Sequence, residues 1–293
     1  MEWALALSHP DQIKNIEDPW NGIPFLRSNL QKLFEKYFGN IQFTRLYFGQ
    51  EFCEKLIASQ SDLKKIVEKT LERKLDLTLV TAYVTEEGLE KTKDLLEYIA
   101  KLGIECEVVV NDWGVLHMVQ NFPQLKPVLG RLLNKIPRDP RIRRKKTDAP
   151  EKNETLMNCS LFTPQMKTLL KRYKVSRIEL DYPPYGWDQD VGTWGYDVSV
   201  YLPYGYIATG RICLIGSWGL KPEDKFTASG PCSGLCRKHY IEMTEFNTDD
   251  SPDIHILNKG NTIFYLLEKY LEAAVDNISR SQVSRIIYQN MPL

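Results

Sequence analysis

From residue 41 onward the apolar positions switch repeatedly between a two-residue and a 3.6-residue period. "IQFTRLYF" (41–48) and "LDLTLVTAYV" (75–84) read as strands, rich in aromatic and β-branched residues. Between them "DLKKIVEKTLER" (62–73) puts Leu63, Ile66, Val67 and Leu71 on one helical face. "EEGLEKTKDLLEYIAKLG" (86–103) stacks Leu89, Leu95, Leu96, Ile99 and Leu102 and stops at Gly103. A strand over 104–112, a short helix near 113–121 and a strand over 126–134 follow. "TPQMKTLLKRYK" (163–174) opens with an N-cap threonine and proline at the first helical position. "SRIELD" (176–181) is a strand, 197–216 holds one or two more, and "GNTIFYLLEKYLEAAVDNI" (260–278) predicts a helix.

Strand–helix alternation over this length predicts a parallel α/β sheet, and the chain carries neither GxGxxG nor GxxxxGK[ST], which removes the best support for an open nucleotide-binding fold. A TIM-like (β/α)-barrel, with room for irregularities, is therefore expected over 41–293 as a single domain, with residues 1–40 as an N-terminal extension. The polar run 135–154 reads as a basic surface excursion of that domain.

Composition narrows the setting. Lys+Arg and Asp+Glu both number 38, so the net charge is zero and bulk electrostatic binding to duplex nucleic acid is disfavoured. A local patch at Arg138, Arg141, Arg143, Arg144, Lys145 and Lys146 keeps RNA or an acidic partner in view, although such runs are usually solvated loops. The aromatic stretch 182–206 offers a stacking surface for a planar substrate, with ordinary packing the plainer reading. No apolar run reaches the ~18 residues of a membrane span. The start, "MEWALALSHPDQ", lacks the basic flank of a signal peptide, so a cytoplasmic protein with reduced thiols is expected.

In parallel α/β folds chemistry gathers at the carboxyl ends of strands. Here those ends deliver Gly49, Glu51 and Cys53, then Asn111 and Asp112, then Asn134, Asp181 and Cys213. Asp112 and Asp181 are the candidate general acid and base, and Asn111 and Asn134 candidate substrate-binding amides, against the plainer role of capping helices. Cys232 and Cys236 stand in "SGPCSGLCRKH" (229–239), where Arg237, Lys238 and His239 favour thiolates. Two donor sets stay open: Cys213, Cys232 and Cys236 with His239 around Zn2+, or the three with Cys53 around zinc or an iron–sulfur cluster. Cys106, inside "IECEVVV", reads as a buried structural thiol, as does Cys159.

These segments together resemble a known family. "RLYFGQEFCEKL", "CEVVVNDWGVLHMV", "VLGRLLNKIPRDPRI" and the run from Cys213 through Cys232 to Cys236 are similar, in order, to segments of the collagenase-like peptidase superfamily, in its UbiV-like iron–sulfur branch. The resemblance covers roughly residues 41–260 and implies a (β/α)-barrel with a 4Fe–4S cluster on Cys53, Cys213, Cys232 and Cys236. It further implies a part in oxygen-independent hydroxylation of a small aromatic or nucleobase substrate, a small-molecule oxygen donor, and a paired family member as heterodimer partner. Members with peptidase activity carry a different cysteine spacing, with two cysteines where "IATGRICLIGSWG" has one. Three readings follow: a cluster-dependent hydroxylation protein, a peptidase-like hydrolase with structural zinc, or a non-catalytic iron–sulfur partner subunit. The residues themselves leave open whether the chain is an enzyme.

Overall fold

The computed structural model describes residues 1–20, 30–134, 136–139, 159, 161, 163–184, 186, 191–228, 230, 232–243 and 254–292. Eight parallel strands close a barrel: β1 (Glu2–Leu7), β2 (Phe43–Gly49), β3 (Asp76–Val80), β4 (Cys106–Val110), β5 (Leu125–Leu129), β6 (Arg177–Asp181), β7 (Asp197–Leu202) and β12 (Arg285–Gln289), the last returning to β1. Between β7 and β12 the chain inserts an antiparallel sheet of β8 (Tyr204–Thr209), β9 (Ile241–Met243), β10 (His255–Lys259) and β11 (Thr262–Leu266). The helices are α1 (Leu30–Phe38), α2 (Gln60–Glu72), α3 (Glu86–Lys101), α4 (Trp113–Val119), α5 (Pro164–Arg172) and α6 (Leu271–Arg280). The expected TIM-like barrel is thus the fold. No helix among the described residues is long and apolar enough to cross a membrane.

Side-chain alternation along the strands builds two interiors. Leu5, Phe48, Leu79, Val108, Ile178, Val200 and Ile286 face outward into a shell shared with the helices. Ala4, Tyr47, Val80, Val109, Val128, Tyr201 and Ile287 face inward. Four helices start where a side-chain oxygen accepts from a free backbone N–H: Ser59 for α2, Thr85 for α3, Asp112 for α4 and Thr163 for α5. At the amino end of the barrel Arg285 donates to Glu2 at 2.6 Å and to Glu107 at 2.5 Å, while Arg45 reaches the other Glu2 oxygen at 2.7 Å.

Three expectations need correction. Residues 2–7 are not part of an extension: they form β1, and pair on both sides with β12 and β2. Six residues of one strand carry too little periodicity to be told from an apolar accident. Residues 260–278 are not one helix, because Thr262–Leu266 is β11 and the helix begins only at Leu271. Gly260 has φ +66° and turns β10 into β11, so alternation inside "TIFYL" prevails over its chance helical spacing. The single-domain expectation over 41–293 also omitted the inserted sheet, which has its own apolar core of Tyr204, Tyr206, Leu257, Phe264 and Leu266 against Phe52 and Leu132.

Candidate functional site

Cys53 lies just past β2, on the carboxyl side of the barrel, and begins a short 3-10 turn over Glu54–Leu56. Cys213, Cys232 and Cys236 all belong to the insert, between β8 and β9. The four thiols nevertheless line one cleft of about 720 Å³, counting its open mouth. Several contacts hold the insert against the barrel loops. Asn261, at the β10–β11 turn, donates its amide to the Phe52 carbonyl at 2.5 Å and to the Gly210 carbonyl at 2.6 Å. The Tyr83 hydroxyl, from the loop after β3, donates to the same Gly210 carbonyl at 2.6 Å. Arg211 donates to Glu54 at 3.1 Å and lies over the Tyr83 ring, and Lys55 donates to the Gly230 carbonyl.

The thiols differ in setting. Burial pushes Cys53 up to about 12 and Cys236 up to about 11, and raises Cys213 as well; the mutual proximity of the thiols adds to each shift. Opposing this, the Gly216 N–H points at the Cys213 sulfur at 3.1 Å, and the Lys55 backbone N–H does the same for Cys53. Cys232 is exposed, Cys236 buried. Among the described residues no group of three His, Cys, Asp or Glu side chains is placed to hold a single metal ion. Tetrahedral zinc, with Zn–S near 2.3 Å, needs tight convergence. A four-iron cluster, which takes one thiolate at each corner, accepts more widely spaced sulfurs. Four cysteines lining one cleft match in number the four thiolates that such a cluster takes. His239 contacts the Trp218 ring at 5.7 Å between centroids and is not among the residues lining the cleft.

The remaining candidates have other duties. Asp112 caps α4, accepting from Gly114 N at 2.7 Å and Val115 N at 3.3 Å. Asn111 is buried, donating to the Thr81 carbonyl at 2.9 Å and accepting from Leu132 N at 3.2 Å. Asn134 is fully buried and accepts from the Cys159 thiol. Asp181 is buried under two arginines, with Arg131 at 2.7 Å and Arg138 at 2.6 Å. Cys106 packs in the shell between sheet and helices, as its sequence context implied. Within the basic run, Arg138 is buried against Asp181 and so is no surface contact; positions 141 and 143–146 lie outside the described residues. In the aromatic stretch Tyr182, Trp194, Tyr201, Tyr204 and Tyr206 are buried, which makes them packing residues, while 185 and 187 lie outside the described residues.

Arg131 is the residue that sequence reading passed over. It follows Gly130 at the end of β5, is fully buried, and clasps Glu51 with two hydrogen bonds of 3.0 and 2.6 Å. Its guanidinium lies 3.7 Å from the centre of the Tyr201 ring. Burial opposes its charge, but Glu51 and Asp181 outweigh that and hold its pKa above the usual value. Because Glu51 is two residues from Cys53, this network fixes the loop that delivers the first thiol. Gly130 is required beside it, since a Cβ there would strike the Asn111 side chain. A charged residue inside an apolar strand-end run, "VLGRLL", was the available signal.

Comparison of the chain with models of known protein families returns no match, and no curated protein is significantly similar to it. The class that fold and site define is a parallel (β/α)-barrel with an inserted antiparallel sheet, the two joined over a four-cysteine cleft.

Proposed function

We propose that this chain is a 4Fe–4S cluster protein, similar to the UbiV-like branch, serving oxygen-independent hydroxylation of a small aromatic or nucleobase substrate. One observation carries the reading: Cys53, Cys213, Cys232 and Cys236, spread over both structural parts, line a single cleft. When bound, such a cluster supplies one-electron chemistry at a thiolate-ligated iron centre. The chain's own residues would hold it, with Cys53 from the barrel and three thiols from the insert. N–H groups of Gly216 and Lys55 stabilise charge on two of the sulfurs. Phe52 lines the cleft on its barrel side, with its carbonyl held by the Asn261 amide. Tyr83 and Phe52 line the same cleft and offer aromatic faces to a planar substrate.

Anaerobic purification with iron, sulfide and zinc measured per chain tests this. The expected content is ~4 iron and ~4 sulfide with negligible zinc. One zinc and no iron would favour the structural-zinc hydrolase. A second reading, the non-catalytic partner subunit, is favoured by the positions of Asp112 and Asp181, whose carboxylates cap a helix and neutralise arginines away from the cleft. Hydroxylation assayed with this chain alone, and again with a paired family member, separates the two readings. The cytoplasmic location belongs to the same proposal, since labile thiolate-bound iron needs a reducing compartment.

A further inference from the structure

Close to the cleft, the insert exposes a rim of large apolar side chains among the described residues. Of the eight large hydrophobic side chains exposed among the described residues, Ile212, Leu214, Trp218 and Phe226 fall within fifteen consecutive positions. That concentration is unlike scattered surface leucines and marks a contact surface. Several of these residues are tied to the cysteine-bearing loop. Ile212 and Leu214 flank Cys213. The backbone N–H of Phe226 donates to Ser217 Oγ at 3.0 Å, and Ser217 Oγ donates to the Cys213 carbonyl at 3.0 Å. Trp218 touches His239, three residues beyond Cys236.

The rim is also basic. Residues 211–239 carry Arg211, Lys221, Lys225, Arg237 and Lys238 against Glu223 and Asp224, a net charge of 5 − 2 = +3 in a chain whose total is zero. All five basic side chains are exposed, Arg211 being paired with Glu54 beside the cleft. Exposed Cys232 links the cleft to the same surface.

Resting on the cluster reading, we propose that this rim docks a small acidic one-electron carrier protein. The apolar centre excludes water over the cluster edge, and the basic ring steers and orients an acidic face. One electron leaves the reduced carrier and one enters the cluster, with no bond made or broken. Such encounters bury little area and are transient, so binding is expected in the micromolar range, with Kd ~1–50 μM at low salt.

The test uses the anaerobically purified holoprotein, titrated calorimetrically with a plant-type 2Fe–2S ferredoxin and, separately, with a flavodoxin. Cytochrome c, a basic carrier, is the control. The expected result is binding of at least one acidic carrier at ~0.05 M salt that weakens tenfold or more at ~0.5 M, where screening is strong. Lys221→Glu/Lys225→Glu and Trp218→Ala/Phe226→Ala should each weaken it by tenfold or more, with iron content and melting temperature unchanged. The proposal is overturned if neither acidic carrier binds, if cytochrome c binds as well, or if the variants bind as the parent does. It is equally overturned if Trp218→Ala/Phe226→Ala instead dissolves a homodimer in sedimentation, which would assign the rim to a second copy of the chain. Iron present without carrier binding removes this proposal alone, whereas a chain without iron removes the cluster reading together with it.

Discussion

Glu179 lies in the middle layer of the barrel interior, fully buried, between the charged layer at the amino end and the arginine network at the mouth. Its Oε2 accepts from the Tyr201 hydroxyl at 3.0 Å, and the Tyr47 hydroxyl also acts on its charge. Burial, reinforced by the nearby Glu51 charge, pushes its pKa up to about 8. An unfolded chain titrates a glutamate near 4.3. Between those values the folded state keeps a proton that the unfolded state has released. Stability from this group is therefore complete below the unfolded pKa and declines as pH rises towards about 8. At roughly 1.4 kcal/mol for each pH unit of difference in proton binding, the loss between pH 5 and pH 8 is about 3–4 kcal/mol. Glu179→Gln keeps the shape and an oxygen for Tyr201 but cannot ionise. Urea unfolding of metal-free, reduced protein, followed by far-UV circular dichroism from pH 5 to pH 8, measures the difference. The variant should gain on the parent by about 3–4 kcal/mol across that window. A gap constant to within ~0.5 kcal/mol, or one that closes as pH rises, would refute the placement of a neutral carboxyl in the barrel.

Three further outcomes are expected. Cys53→Ser should lose most of its bound iron, whereas Cys106→Ala should keep it and cost about 1–2 kcal/mol through lost packing; iron analysis and thermal melts distinguish them. Arg131→Met strips Glu51 of its buried partner and should cost about 3–5 kcal/mol, with Arg131→Met/Glu51→Gln recovering part of the loss in urea melts. Gly49→Ala should be among the most damaging small changes, about 3 kcal/mol or more, because φ is +137° and the new Cβ would meet the Val80 carbonyl oxygen; soluble yield and melting temperature report it.

What the sequence determined by itself is the part governed by local period and end chemistry. α2, α3 and α5, with their Ser59, Thr85 and Thr163 caps, are legible because amphipathic spacing and a capping oxygen lie within a few residues of each other. Strands β2, β3, β4 and β6 are legible for the same reason, and with them the barrel class. The candidate cysteines could be named, since thiols are few and two stand four positions apart.

Tertiary structure decided the rest. β1 and β12 are short and carry no distinctive local signal; they are strands because each completes the hydrogen bonds of the other across the closure of the barrel. Residues 262–266 follow β8 and β10 and not the helical spacing they also fit, because edge pairing and burial against Phe52 outweigh a weak local preference. Whether Asp181 is an acid or a counter-ion depends on Arg131 and Arg138, which are distant in sequence and adjacent only through β5 and β6. That Cys53 lines the same cleft as three cysteines of the insert likewise depends on the Asn261 clamp and the Glu54–Arg211 pair. Local periodicity reports which face of an element is buried, but only long-range pairing determines what that face meets.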